Sequence, residues 1–197
     1  MKMRRIEKVF LNRLQSKKRA VDLAQKLLGF AELHGKQDFL EAGCGNGVVA
    51  KYIAARYQSD VVGIDIDPEQ IGLAQKSTGD IDNIRFLEAD VTSLPFADNS
   101  FDVVLSFGVM HYIPNWLDAF REIKRVLRDG GYFVYADIIY PELVTKWDRS
   151  SKLSFGLVTV SIDDLNSFIR HNGFATLHSL LAKFFVCRNY EAVYQKS

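Results

Sequence analysis

The chain is short of the residues that staple small extracellular or metal-dependent folds. Of its 197 residues two are cysteine, Cys44 and Cys187, and the four histidines, His34, His111, His171 and His178, show no ligand spacing. No structural metal site is expected, and two lone thiols suit a reducing compartment. No apolar run reaches the roughly 18 residues that a membrane helix needs. The basic opening MKMRRIEKVFLNRL is interrupted at Asn12 and Arg13 before a signal-peptide core forms. A cytoplasmic protein without a membrane span is expected. Internal repeats, low-complexity tracts and domain-splitting linkers are also lacking, and a chain of this length buries roughly 70% of its unfolded surface without disulfides.

Net charge is nearly absent, with 25 basic against 24 acidic side chains, but its distribution is uneven. Residues 1–19 carry eight basic side chains (Lys2, Arg4, Arg5, Lys8, Arg13, Lys17, Lys18 and Arg19) against Glu7, and the remainder carries 17 basic and 23 acidic. A basic arm on an acidic body can approach nucleic acid, anionic lipid or an acidic substrate. A solvated helix face, with Lys and Arg stems lying over apolar surface, is the simpler and preferred account.

Apolar residues from Phe10 through Leu14, Val21, Ala24 and Leu28 recur at three- and four-residue steps, which predicts one or two amphipathic helices before residue 34. Residues 1–35 are therefore read as N-terminal helices packed on a main domain of residues 36–197. In that domain strand-like segments at 38–41, 61–65, 84–88, 101–106 and 132–136 alternate with helix-like segments at 48–57, 68–76 and 116–127. The alternation predicts an α/β fold, a mostly parallel sheet with helices on both faces. Asp67 before Pro68 and Ser161 before Asp164 read as helix N-caps, and Gly173 as a stop. Residues 138–160, with Pro141, Trp147 and Phe155, have no clean period and are expected to form an irregular insertion near the site. Two last strands are expected at 175–181 and 191–195, joined near Arg188-Asn189, with the final one antiparallel.

The most informative stretch is Phe39-Leu40-Glu41-Ala42-Gly43-Cys44-Gly45-Asn46-Gly47-Val48, a strand ending in an acid followed by a glycine-rich turn. Glycines at 43 and 45 open backbone conformations closed to other residues and let a ligand lie on the main chain. A Walker loop needs Gly-Lys-Ser/Thr, whereas Gly47 precedes Val48-Val49. A dinucleotide fingerprint needs a sixth-position glycine, where Val48 stands. Glu41 at the mouth of the loop repels a pyrophosphate and attracts an ammonium or sulfonium group. Asp65 ends the next strand eighteen residues after Gly47, placed to accept both hydroxyls of a ribose. Asp90 follows the third strand, placed to meet an exocyclic amine. The three carboxylates lie at the C-terminal ends of adjacent expected strands, where open parallel sheets bind ligands.

On these residues the chain resembles the class I S-adenosylmethionine-dependent methyltransferases of the small, type-11-like group, from about Lys36 to the C-terminus. The matching pieces are the loop at 40–47, Val62-Gly63-Ile64-Asp65, Leu87-Glu88-Ala89-Asp90 with Leu94-Pro95-Phe96, Phe101-Asp102-Val103-Val104, and Arg125-Val126-Leu127-Arg128-Asp129-Gly130-Gly131. The resemblance implies a Rossmann-like seven-stranded sheet of order 3-2-1-4-5-7-6 with strand 7 antiparallel, and S-adenosyl-L-methionine as cofactor. It implies that Gly43, Cys44, Gly45 and Gly47 pack under the methionine moiety and that Glu41 helps hold its amino group. Asp65 would bind ribose and Asp90 adenine N6, with Ile66, Val91 and Phe107 beside them. Asp129 departs from the proline that often precedes the paired glycines, a change expected to touch stability more than cofactor binding.

Methyl transfer from a sulfonium needs alignment more than catalytic side chains, and a general base only where the acceptor carries a proton. His111 is the candidate base, although the sequence shows no carboxylate partner for it. Tyr112, Tyr140, Trp147 and Phe155 are candidates to wall an acceptor pocket. The Asn/Asp-Pro-Pro-Tyr/Phe turn of amino-directed nucleic-acid enzymes is replaced by Phe107-Gly108-Val109-Met110, and neither cysteine follows a proline as a cytosine-C5 enzyme requires. A small-molecule acceptor is therefore preferred to nucleic acid. An RNA or protein methyltransferase docking through the basic arm, and a non-catalytic cofactor-binding subunit, remain alternatives. The acceptor and the oligomeric state are not legible.

Overall fold

The computed structural model describes residues 17–79, 81–151 and 154–197. One helix, α1 (Lys17–Leu28), precedes the alternating body of β1 (Asp38–Ala42), α2 (Val48–Tyr57), β2 (Asp60–Asp65), α3 (Pro68–Thr78), β3 (Ile84–Glu88) and β4 (Phe101–Phe107). A short 3-10 turn (Met110–Tyr112) leads to α4 (Trp116–Val126), β5 (Leu127–Ile139), α5 (Glu142–Ser150), α6 (Ile162–His171), β6 (Phe174–Phe184) and β7 (Cys187–Lys196). The start of the expected N-terminal helices, with Phe10, Leu14 and the basic residues Lys2 to Arg13, lies outside the described residues. No helix among the described residues is long and apolar enough to cross a membrane.

The strands form one seven-stranded sheet of order β3-β2-β1-β4-β5-β7-β6, as expected, and β7 runs antiparallel to both β5 and β6. Successive side chains point to opposite faces, so the five inner strands β2, β1, β4, β5 and β7 each feed two cores. Leu40, Val62, Val104, Phe133 and Tyr135 face a core closed by α4 and α6. Phe39, Val61, Val103, Leu105 and Val134 face one closed by α1, α2 and α3. Burial on both sides is why these strands read as continuous apolar runs. In the first core Phe120 of α4 is fully buried and meets Phe133, Tyr135 and Phe168 nearly edge-on, at centroid distances of 5.2, 5.3 and 5.8 Å.

The helix caps follow the sequence reading. The Asp67 carboxylate accepts from Glu69 N (3.0 Å), the Ser161 hydroxyl accepts from Asp164 N (3.2 Å), and Gly173 follows α6 in a left-handed conformation. Two expectations need correction. The last two strands are longer than 175–181 and 191–195, and their turn is Phe185-Val186, because Phe184 pairs with Cys187 and Lys183 with Arg188. Arg188-Asn189 lies inside β7. The turn escaped notice because its two residues are apolar, whereas tight hairpins favour Asn and Gly.

The first half of the segment 138–160 is more ordered than an irregular insertion, since it completes β5 and forms α5, while its described residues 154–160 form neither helix nor strand before α6. Its helix was hidden by an inverted pattern, since α5 buries Thr145 and Asp148 while Leu143 and Trp147 face outward. Asp148 pins the 154–160 run by accepting from Phe155 N (2.8 Å), Leu157 N (3.0 Å) and the Ser154 hydroxyl (3.1 Å).

Replacing Phe120 by Ala removes the centre of the aromatic cluster. Phe120→Ala is expected to lower unfolding free energy by about 3–5 kcal/mol in a urea titration, with Phe120→Leu costing less.

Candidate active site

The turn between β1 and α2 sits where the strand order reverses, between β1 and β4, the usual ligand crevice of an open parallel sheet. Its backbone amides are tied down by one strand-end carboxylate and one carbonyl. Gly43 N and Cys44 N both donate to Ile64 O at 2.8 Å, and Gly45 N donates to Asp65 Oδ2 at 3.0 Å. Asp65 Oδ1 accepts from Asp67 N (2.9 Å), so one carboxylate braces the glycine turn and the entry to α3 together. Gly47 caps α2 with no side chain to offer, and Glu41 supplies the missing acceptor by taking a 2.8 Å hydrogen bond from Ala50 N.

The loop glycines serve different ends. A Cβ on Gly43 would lie 2.2 Å from Val109 Cγ2, and one on Gly47 would lie 2.6 Å from Phe86 Cζ. Both are dictated by protein packing. At Gly45, whose φ is 51°, the nearest atom to an added Cβ is Gln70 Oε1 at 3.9 Å, so this is the glycine over which a ligand can approach. Gln70 is buried, and its Oε1 has no hydrogen-bond partner among the described residues. Sequence reasoning missed it; its position three residues after the Asp67 cap, on the first turn of α3, is the signal that was available.

Glu41 is buried, and its carboxyl is pushed up to about 8 by burial, against the lowering effect of the Ala50 N–H and with a further push from Asp65. The buried carboxyl thus keeps its proton to higher pH than an ordinary glutamate. Cys44 is buried, and burial followed by the nearby Glu41 and Asp65 carboxylates raises its thiol well above the ordinary range. Its role is volume, with no nucleophilic thiolate.

The other expected residues gather at the same strand ends. Ala89 N donates to Asp65 O (3.1 Å), which ties the Asp90 turn to β2. Asp90 is exposed, and its Oδ1 accepts from both the amide and the hydroxyl of Thr92 at 2.8 Å. Ile66 is an exposed apolar residue just past β2, Val91 is buried, and Phe107 is half-buried at the end of β4.

A second constellation lies one strand away. His111, buried in the 3-10 turn after β4, pairs through Nδ1 with Oδ1 of Asp137, buried on β5. Asp137 Oδ2 accepts from Met110 N (2.8 Å), His111 N (3.3 Å) and the Tyr135 hydroxyl (3.3 Å), and Oδ1 accepts from Ile138 N (2.7 Å). The carboxylate partner absent from the sequence reading is thus present. With Nδ1–H assigned to this bond, His111 Nε2 carries the lone pair and makes no hydrogen bond among the described residues. The rings of Tyr112 and Tyr140 flank the imidazole at 4.1 and 5.3 Å, and Val158 N donates to His111 O (2.8 Å), bringing the Asp148-pinned run over it. Phe155 is partly buried in that run, whereas Trp147 points outward.

Glu41 holds its proton more tightly in the folded chain, at about 8, than at its ordinary value of 4.5. The stability it contributes is full below about pH 4.5 and is lost as pH rises toward 8. Melting temperature followed across this interval is expected to fall in the wild type. In Glu41→Gln, which keeps an acceptor for Ala50 N without a titrating proton, that part of the decline is expected to disappear.

Comparison with known proteins agrees with this geometry. Residues 40–135 match the family described as methyltransferase domain. The chain is 33% identical over 148 residues to the probable phthiotriol/phenolphthiotriol dimycocerosates methyltransferase 2 of Mycobacterium ulcerans, covering 75% of this chain and 56% of that protein. It is 32% identical over 132 residues to a fatty-acid O-methyltransferase of Mycolicibacterium smegmatis, covering 66% and 47%. The chain therefore spans about half the length of these relatives. Among solved structures, geranyl diphosphate C-methyltransferase of Streptomyces coelicolor superposes with a TM-score of 0.77 at 14% identity, over 91% of this chain and 80% of that one, which supports the fold. By motif, topology and sequence match, the chain belongs to the class I S-adenosylmethionine-dependent methyltransferases.

Proposed function

We propose that this protein transfers a methyl group from S-adenosyl-L-methionine to a small, lipid-like acceptor whose accepting oxygen carries a proton. The observation that carries the reading is the buried His111–Asp137 pair beside the braced glycine loop. Support for the acceptor class comes from the relatives named for fatty-acid and phthiotriol substrates. Support for the cofactor comes from the open face of Gly45 and the unpartnered Gln70 Oε1 beside it, which suit a ligand with hydrogen-bond donors.

In this reading Gly43, Cys44, Gly45 and Gly47 form the floor under the methionine end, and Glu41 and Gln70 face its ammonium. Asp65 takes the ribose hydroxyls, Ile66, Val91 and Phe107 wall the adenine, and Asp90 meets its amine. Residues 1–35 cap the domain, and 138–160 shape the acceptor side. When bound, the cofactor supplies an electrophilic methyl on a sulfonium leaving group. In the displacement, which would form the oxygen–carbon bond as the carbon–sulfur bond breaks and a neutral thioether leaves, His111 Nε2 would take the acceptor's hydroxyl proton, Asp137 would stabilise the imidazolium, and the proton would then pass to solvent. Tyr112, Tyr140 and the 154–158 run exclude water from that transfer.

The test is incubation with methyl-labelled cofactor and a panel of long-chain fatty acids and hydroxylated lipids. Label is expected in the methyl ether of a hydroxylated lipid; label only in fatty-acid esters, whose carboxylates carry no proton for His111 to take, label in RNA or protein, or binding without turnover of any acceptor, contradicts the reading. Asp65→Ala is expected to weaken cofactor affinity by roughly 1.5–3 kcal/mol per lost charge-assisted hydrogen bond, before water compensates. His111→Asn is expected to lower kcat by about 10²–10⁴ with cofactor affinity nearly unchanged.

A further inference from the structure

The most exposed large apolar side chains on the described surface gather at one end of the molecule. Phe185 is 85% exposed and Val186 74% in the β6–β7 turn, and Leu143 is 79% exposed and Trp147 69% on α5. All belong to the end of the sheet that carries the candidate site, because β5 pairs Ile139 with Arg188 at the start of β7 and α5 follows β5 directly. Tyr140, whose ring meets His111, lies close enough to Cys187 for the thiol to add to the upward push on its phenol. A path of adjoining residues thus runs from His111 through Tyr140 to the hairpin tip.

Two local rules of hairpin construction are broken there. Phe185 takes a left-handed φ of 52°, a conformation that costs a bulky residue and favours Gly or Asn. Lys183 and Arg188 stand directly opposite one another in the antiparallel register, where like charges repel. Neither cation makes an ion pair among the described residues, and Arg149 of α5 adds a third such charge. Departures of this kind without a folding benefit mark functional surface. An anionic layer would relieve the charge repulsion while burying the apolar tip, a combination that suits the headgroup and upper acyl region of a bilayer.

The geometry points to a lipid-docking rim: Phe185, Val186, Trp147 and Leu143 enter an anionic phospholipid surface, with Lys183 and Arg188 against its headgroups. An acceptor would then pass from the bilayer to His111 without crossing water. That purpose rests on the lipid-acceptor reading, but docking itself is measured without acceptor or turnover, so either idea can fail alone.

The test is flotation of the full chain with vesicles of phosphatidylcholine, and of phosphatidylcholine mixed with phosphatidylglycerol, at low and high salt. Wild type is expected to float with the anionic vesicles only, and less at high salt. The double substitution Phe185→Gly with Val186→Asn places glycine at the one positive-φ position of the turn, so it is expected to keep or raise the melting temperature while lowering partition by about tenfold or more. Trp147→Ser and Lys183→Gln are expected to lower it separately. Undiminished flotation of the double variant would assign binding to the basic residues 1–19 and overturn the rim. So would failure of wild type to float, or a wild-type dimer that the double variant converts to monomer, which would make a second copy the occupant.

Discussion

The arrangement depends on a small set of hydrogen bonds in which two strand-end carboxylates accept from backbone amides in the glycine turn and at the starts of the two helices that follow β1 and β2. Glu41 holds Ala50 N, and Asp65 holds Gly45 N and Asp67 N. A turn of this kind exposes amides that cannot pair within a helix or a strand, and buried amides left unpaired are costly. Supplying acceptors from β1 and β2 fixes the turn to the sheet and starts both α2 and α3 in the correct place. The same carboxylates stand at the strand ends that border the crevice. One set of side chains thus folds the loop and equips it for a ligand, so substitutions here are expected to affect stability and binding together.

The second constellation follows from the strand order. Because β4 and β5 are neighbours in parallel register, with Phe107 beside Ala136, the turn after β4 falls next to Asp137. Asp137 holds that turn by Met110 N and His111 N and orients the imidazole by Nδ1. The segment from α5 to α6 is pinned in turn by Asp148 and reaches His111 through Val158 N. Two buried aspartates, one on a strand and one on a helix with an outward-facing tryptophan, thereby define the walls around one histidine.

Much of this was legible in the residues. Strand and helix alternation, the glycine loop, the Asp67 and Ser161 caps and the strand-end acids Glu41, Asp65 and Asp90 rest on local patterns, which the sequence displays directly. What was not legible depends on long-range neighbours or broken local rules. Asp137 is distant from His111 along the chain and meets it only because β4 and β5 pair. The reasons for Gly43 and Gly47 are Val109 and Phe86, which pattern cannot reveal. Helix α5 hid behind a buried polar side, and the last hairpin behind an apolar turn.

The central claim is that the braced loop is an S-adenosylmethionine site. Calorimetric titration of the purified protein with S-adenosylmethionine, S-adenosylhomocysteine and NAD tests it most directly. Saturable binding of the first two with none of NAD is the predicted result. Binding of NAD, or no heat with either sulfur compound, would contradict the reading of Glu41, Gly45 and Asp65 on which the account rests.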